Sequence, residues 1–133
     1  MVRRKISFHL LVSDYDRSLQ FYCDLLGFQK LFDLNLGNGY RHIQLVYPGF
    51  DQVRVVLDRP HNEIQSAAVG NQTGDCAWLV VPVTDCVAER ERLIGRGVEF
   101  AGELIELLYG IQASAIDPDG NRVCLFEDFT AID

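Results

Sequence analysis

KISFHLLVSDYDRSLQFYCDLLGF, residues 5–28, is the stretch whose reading decides the fold. KISFHLLV (5–12) is apolar and rich in β-favouring residues, so it reads as a strand. Ser7, His9 and Leu11 point to one side of it, and Phe8, Leu10 and Val12 to the other. Ser13 or Asp14 can accept from the free N–H groups of a first helical turn, which makes one of them an N-cap. Leu19, Tyr22, Leu25 and Leu26 then recur at helical spacing, and Gly27 ends the helix as a C-cap. Strands follow near 28–36, 40–47 and 52–58. GNG (37–39) and PGFD (48–51) are the turns between them.

After a polar, weakly periodic stretch, RPHNEIQSAAVGNQTG (59–74), which reads as a linker or mobile loop, the same order returns. CAWLVVPV (76–83) is a strand, Thr84 or Asp85 caps a helix through CVAERERLIGR, and Gly97 stops it. VEFAGELIEL and YGIQASAID read as strands, DPDGN (117–121) as a turn, and RVCLFE (122–127) as the last strand. VSD at 12–14 answers to VTD at 83–85 with an offset of 71. GF at 27–28 answers to GV at 97–98 with an offset of 70, so the second helix is one residue shorter. A repeat of this kind outranks any single motif. The expected organisation is one domain over 1–133, with module one at 5–58, the linker at 59–74 and module two at 75–128. Each module alone is small for a stable core. The pair is expected to be an α+β fold, two βαβββ modules forming a curved, half-open mixed sheet around a cleft.

Composition bounds the function. The 133 residues carry a net charge of −7, which disfavours phosphate backbones and argues against a nucleic-acid partner. RRK (3–5), the one basic run, is too short to reverse this and reads as a solvated flank. No apolar h-region follows it, and no apolar run reaches the ~18 residues of a membrane span. Cys23, Cys76, Cys86 and Cys124 form no C-x-x-C pair and read as free thiols of a reducing cytoplasm.

Four segments resemble the vicinal oxygen chelate superfamily, which holds glyoxalase I, bleomycin and fosfomycin resistance proteins and extradiol dioxygenases. They are ISFHLLVSDYDRSLQFYCDLLGF, AWLVVPVTDCVAERERLIGRGV, LYG and DPDGNRVCLFE. The resemblance implies a cleft on which His and Glu side chains hold a divalent ion that chelates two neighbouring substrate oxygens. It places the first-strand ligand five residues before the Val of V-x-D, hence at Ser7 and Trp78. It places the last-strand ligand three after the turn Asn, hence at Cys124. Aligning DQVRVVL with NRVCLFE puts Arg54 at the remaining position. None of the four is His, Asp or Glu, one cysteine cannot hold a catalytic metal alone, and a guanidinium repels a cation. The expectation is therefore no metal and no cofactor. A shifted site would combine His9 with His42, Cys124, Glu106 or Glu127, each of which also has a plainer structural or solvent-facing reading. His61, in the linker, reads as solvated.

By strand parity the cleft should carry Ser7, His9 and Leu11, then Trp78 and Val80, then Cys124 and Phe126, and the alignment adds Arg54. Tyr109 of LYG resembles an aromatic–glycine element bordering the cleft in relatives. This is the composition of a small-molecule site. Trp78 offers a stacking face, Arg54 a partner for an anionic group, and His9 a base. Cys124 as a nucleophile needs a lowered pKa, with Arg54 or His9 the available cations. The preferred expectation resembles the bleomycin-resistance branch: a cytoplasmic protein, expected to be a homodimer, that binds a small organic molecule without the usual metal. The alternative is a lyase or dioxygenase of the same superfamily, with shifted ligands or an acid/base mechanism around His9, so turnover is left open. A third class is an interaction module whose cleft is packed shut by Trp78 and Phe126.

Overall fold

Two V-x-D tripeptides do the same two jobs in the computed structural model, which describes residues 4–130; Arg3 of the basic run lies outside them. The Val12 and Val83 N–H groups donate to the Asp58 and Phe126 carbonyls, prolonging a ladder with the last strand of each module. Asp14 accepts from the Asp16 and Arg17 N–H groups at 2.9 and 3.1 Å, and Asp85 from Ala88 at 3.0 Å. The caps are therefore the aspartates, not Ser13 or Thr84.

The chain forms two compact units that meet between Gln72 and Thr73. The first holds β1 (Ile6–Leu11), α1 (Tyr15–Leu19), β2 (Gln29–Gly37), β3 (Tyr40–Val46), β4 (Val53–Asp58) and α2 (Glu63–Ala68). Its sheet has the order β1-β4-β3-β2, with β1 parallel to β4 and the other pairs antiparallel. The second holds β5 (Ala77–Pro82), α3 (Cys86–Gly95), β6 (Glu99–Phe100), β7 (Ile105–Leu107), β8 (Gly110–Ile116) and β9 (Arg122–Asp128). Its order is β5-β9-β8-β6, with β7 also on β8. Both sheets are mixed and open, and both follow first-last-third-second when β6 and β7 are counted as one broken strand. The expected α+β class and repeated module are what the topology shows.

The expected strand VEFAGELIEL is broken. Its ends pair with β8 as β6 and β7, and the intervening residues include Gly102 at φ 78°, a left-handed conformation that ends the pleat. The linker is not featureless either. Asn62 accepts from the Gln65 N–H at 2.8 Å and caps the short α2.

The one-residue difference between the two module helices has a structural form. After α1 the helix continues over Gln20–Leu25 with π-type bonding, and the Leu26 N–H donates to the Phe21 carbonyl five residues back. In module two the Val98 N–H closes the helix end on the Leu93 carbonyl. In module one the equivalent bond runs from Phe28 to the Tyr22 carbonyl and spans one residue more. Tyr22 and Leu93 are 71 apart in sequence and both fully buried. The extra residue therefore lies between Tyr22 and Phe28, and the wider π turn absorbs it without displacing the buried face.

Each unit has its own core. In the first, Leu10, Val12, Tyr22, Ile43, Leu45 and Leu57 are fully buried. Phe21, Tyr22, Phe28 and Tyr47 make edge-on contacts with centroids 4.9–5.9 Å apart. In the second, Cys86, Leu93, Ala115, Val123 and Leu125 fill the same role. In the first unit the fully buried strand side chains lie on the face of the sheet opposite Ser7, His9 and Arg54.

Candidate functional site

On the first sheet, alternation sends Ser7, His9 and Leu11 of β1 to the face opposite Leu10 and Val12. The parallel register sets Ser7 beside Arg54, His9 beside Val56 and Leu11 beside Asp58. On β3, Gln44 lies beside Val56, and on β2 Phe32 lies beside Gln44 and Leu34 beside His42. Ser7, His9, Arg54, Gln44, His42 and Phe32 thus share one face of one sheet.

That face is knitted by polar contacts. Gln44 Oε1 accepts from Lys5 Nζ at 2.9 Å and from Arg54 Nη1 at 3.0 Å. Two cations on the oxygen fix which way the amide points, so Nε2 is the atom 2.9 Å from His42 Nε2, and that histidine nitrogen is the acceptor. The His42 ring meets Phe32 edge-on, 5.6 Å between centroids. Arg54 Nε donates to the Asp51 carbonyl at 2.9 Å. His9 Nδ1 lies 2.6 Å from Asp58 Oδ2, which holds the ring in one orientation and turns Nε2 away from the carboxylate. The His9 side chain is 57% exposed.

On the second sheet, Trp78 sits at an irregularity of the β5–β9 ladder between Ala77 and Leu79. Cys124 is buried and lies beside Val80 on one strand and Ser114 on the other. Burial pushes its thiol above the usual range. Phe126 shares its face, and the Tyr109 ring comes within 6.1 Å of it. Gly110 makes that possible, since a Cβ there would stand 2.5 Å from the Phe126 ring and from the Glu127 carbonyl oxygen. The DPDGN turn that launches β9 is closed by Asp117. Its carboxylate accepts from the Asp119 and Asn121 N–H groups at 2.9 Å each and from the Asn121 side chain at 3.0 Å.

The registers correct one expectation. His9 and Val80 hold equivalent places, three before the Val of V-x-D, and their ladder partners are Val56 and Cys124. The module-one counterpart of Cys124 is therefore Val56, not Arg54, which lies one pleat earlier on the same face. The corrected set is Ser7, Val56, Trp78 and Cys124: a hydroxyl, an isopropyl group, an indole and a thiol. These donors do not fit a divalent ion. Of the shifted alternatives, Glu127 and His42 are engaged elsewhere. Glu127 accepts from the Cys86 N–H at 2.9 Å and so closes the N-terminus of α3, His42 is bound to Gln44, and Glu106 is exposed on β7. Among the described residues no three His, Cys, Asp or Glu side chains converge.

His61 is a second correction. It is not merely solvated: its ring stacks on Tyr40 at 4.5 Å, with the planes within 4°. Lys5, Phe32, Gln44 and Asp58 escaped the sequence reading of the site. The signal was present in YRHIQLV and VRVVLD, where His42 and Gln44, then Arg54 and Asp58, alternate with buried apolar residues.

The family model of the Glyoxalase/Bleomycin resistance protein/Dioxygenase superfamily matches residues 6–125. A probable lactoylglutathione lyase of Synechocystis sp. is 29% identical over 119 residues, 87% of this chain and 88% of that protein. The crystal structure of TnmS3, an antibiotic binding protein from Streptomyces sp. CB03234, is similar at TM-score 0.73 and 28% identity, covering 96% of this chain and 97% of that one. A superfamily member from Sphaerobacter thermophilus is similar at TM-score 0.73 and 27% identity, covering 96% and 98%.

Proposed function

The chain belongs to the Glyoxalase/Bleomycin resistance protein/Dioxygenase superfamily, and from that premise we propose that it binds a small organic molecule without the superfamily's usual metal. One observation carries the reading: the open face of the first sheet bears a fixed polar row, Lys5–Gln44–Arg54 with His42, beside the aromatic Phe32. A few directed polar groups next to apolar surface are what a small-molecule site needs. The four side chains at the metal positions would not hold an ion in its place. The antibiotic-binding relative supports binding as the activity. The second sheet carries its own candidate set, Trp78, Tyr109, Cys124 and Phe126, with the Tyr109 and Phe126 rings 6.1 Å apart between centroids. Metal analysis after mild purification, paired with native mass spectrometry, tests this. A retained organic adduct is expected. Stoichiometric zinc, nickel, manganese or iron overturns the metal-free reading.

His9 favours a second reading. A histidine oriented by a carboxylate at 2.6 Å has the arrangement of a general base, so metal-free proton transfer at His9 Nε2 is the enzymatic alternative. Replacing His9 by Ala must then abolish turnover of whatever substrate is found; unchanged turnover sinks it.

We take the assembly to be a homodimer in the cytoplasm. Phe8, Leu36, Ile105 and Leu108 are exposed apolar side chains that a partner would cover. No helix of the described residues is long and apolar enough to cross a membrane. Light scattering reads the mass directly, and a monomer at tens of micromolar removes the dimer.

A further inference from the structure

The protein carries 19 acidic against 12 basic side chains, so carboxylate partners for its cations are plentiful. Lys30, Arg41, Arg90 and Arg92 all have one. Arg4, Arg17, Arg59, Arg96 and Arg122 make no ion pair among the described residues, and neither do Lys5 and Arg54, but these last two share one acceptor. Both end on a neutral amide oxygen, Gln44 Oε1, at 2.9 and 3.0 Å. Two positive groups drawn to one acceptor repel each other, and a single amide dipole offsets that repulsion only in part. An anion in the same place would neutralise both. The guanidinium presents its donors in a planar fork suited to a carboxylate, phosphate or sulfonate. Ser7, beside Arg54 in the ladder, adds a hydroxyl within the same patch. The apolar neighbourhood is equally specific. Phe32 is the ladder partner of Gln44, and its ring lies edge-on to His42. The cationic end and the aromatic end are thus adjacent on one sheet face, with the Gln44 side chain joining them.

We propose that the ligand is an organic anion with a flat apolar body, its acidic group held by Lys5 and Arg54 and its body laid against Phe32 and His42. This rests on the small-molecule reading above and assigns that ligand's chemical class. In the free protein Gln44 Oε1 stands in for the anion; on binding, the amide gives up the two cations.

The probes are naphthoate and its neutral isostere naphthamide, followed by amide chemical shifts in two-dimensional NMR on the full chain. Naphthoate should bind about tenfold more tightly than naphthamide at low salt, the size of one charge-assisted contact. Its shifts should centre on Gln44, His42 and Arg54. Raising ionic strength from about 50 to about 500 mM should shrink the difference, since these groups are part-exposed. Arg54→Gln and Lys5→Gln should each erase most of the preference, weakening naphthoate binding more than naphthamide binding. Lys5 is exposed and ahead of the first strand, so K5Q reads the effect free of folding defects even if R54Q unfolds. Inorganic phosphate alone should shift the same amides weakly, which separates the anion subsite from the ring contact. Equal affinity for the two naphthalenes, unmoved by either variant, overturns the anionic assignment and leaves the small-molecule reading standing. No response to either probe on this face overturns both.

Discussion

Burial pushes the Cys86 thiol up to about 11 and raises Cys124 as well, Cys86 also feeling Cys124 and Glu127. Since the thiolate is the reactive form, both should be inert in the folded protein near neutral pH. Cys76 is exposed and Cys23 only partly so, with its own thiol raised by burial and by Asp24. A disulfide-exchange reagent at pH 8 should show one fast thiol, lost in Cys76→Ser; a second fast thiol assigned to Cys124 would reopen its use as a nucleophile. Asp33 titrates in the opposite sense. Its carboxylate accepts from Arg41 at 3.1 and 2.6 Å and from Lys30 at 2.9 Å, and these hold its pKa at about 2 against an ordinary 3.8. A depressed folded pKa gives stability that is present above pH ~4 and lost as pH falls towards 2. Linkage caps the effect at about 2 kcal/mol, and solvent screening brings it nearer 1. The gap between wild type and Asp33→Asn in urea unfolding should therefore narrow from pH 5 to pH 2.5. Gly110 is the third case. Gly110→Ala drives a methyl into the Phe126 ring and should cost about 1–3 kcal/mol. Sequence can reach Cys124 because the DPDGN turn fixes its register. It cannot separate Arg54 from Val56, because a slip of two residues keeps every side chain on its face and only the ladder shows which is opposite His9.

Elements were legible where periodicity is long and the cap is strong, and illegible where neither holds. The helices after VSD and VTD satisfy both conditions. α2 satisfies one: Asn62 caps it, but it has six residues and buries none, so no apolar stripe announces it. What anchors this segment is Gln72. Its Nε2 donates to the His9 carbonyl at 2.7 Å, and its Oε1 accepts from the Leu11 N–H at 2.9 Å. β1 is an edge strand, so a side-chain amide here imitates the missing neighbour and covers part of an edge that would otherwise invite pairing. Gln72→Ala should lower stability by about 1–2 kcal/mol, the worth of two hydrogen bonds. Hydrogen exchange gives the sharper readout, because the Leu11 amide should lose protection while Leu10 keeps its own. Uniform loss along β1 would mean that the strand, not its edge, depends on Gln72. The π turn has the same lesson in reverse. The offset change from 71 to 70 locates an extra residue somewhere between VSD and GF, but only the Phe28–Tyr22 bond says that the helix widens to hold it.

For the whole molecule, duplication made the topology legible: two segments with one pattern each fold to first-last-third-second. The candidate site was less so, because its proposed positive end is made by Lys5 ahead of one strand, Gln44 on another and Arg54 on a third, which no linear motif joins. That end also has to be reconciled with a net charge of −7. A small anion senses the two cations within a few ångströms, while a polyanion samples the whole surface and meets the excess of carboxylates. Screening lengths near 10 Å at ~0.1 M salt separate the two regimes. The chain should therefore bind an aromatic carboxylate yet pass through a heparin column unretained at ~50 mM salt, and show no salt-dependent affinity for duplex DNA. Retention on heparin abolished by Lys5→Gln would show that the Lys5–Arg54 patch extends beyond a small-molecule subsite, and would move the proposed partner from a metabolite-sized anion to a polymer.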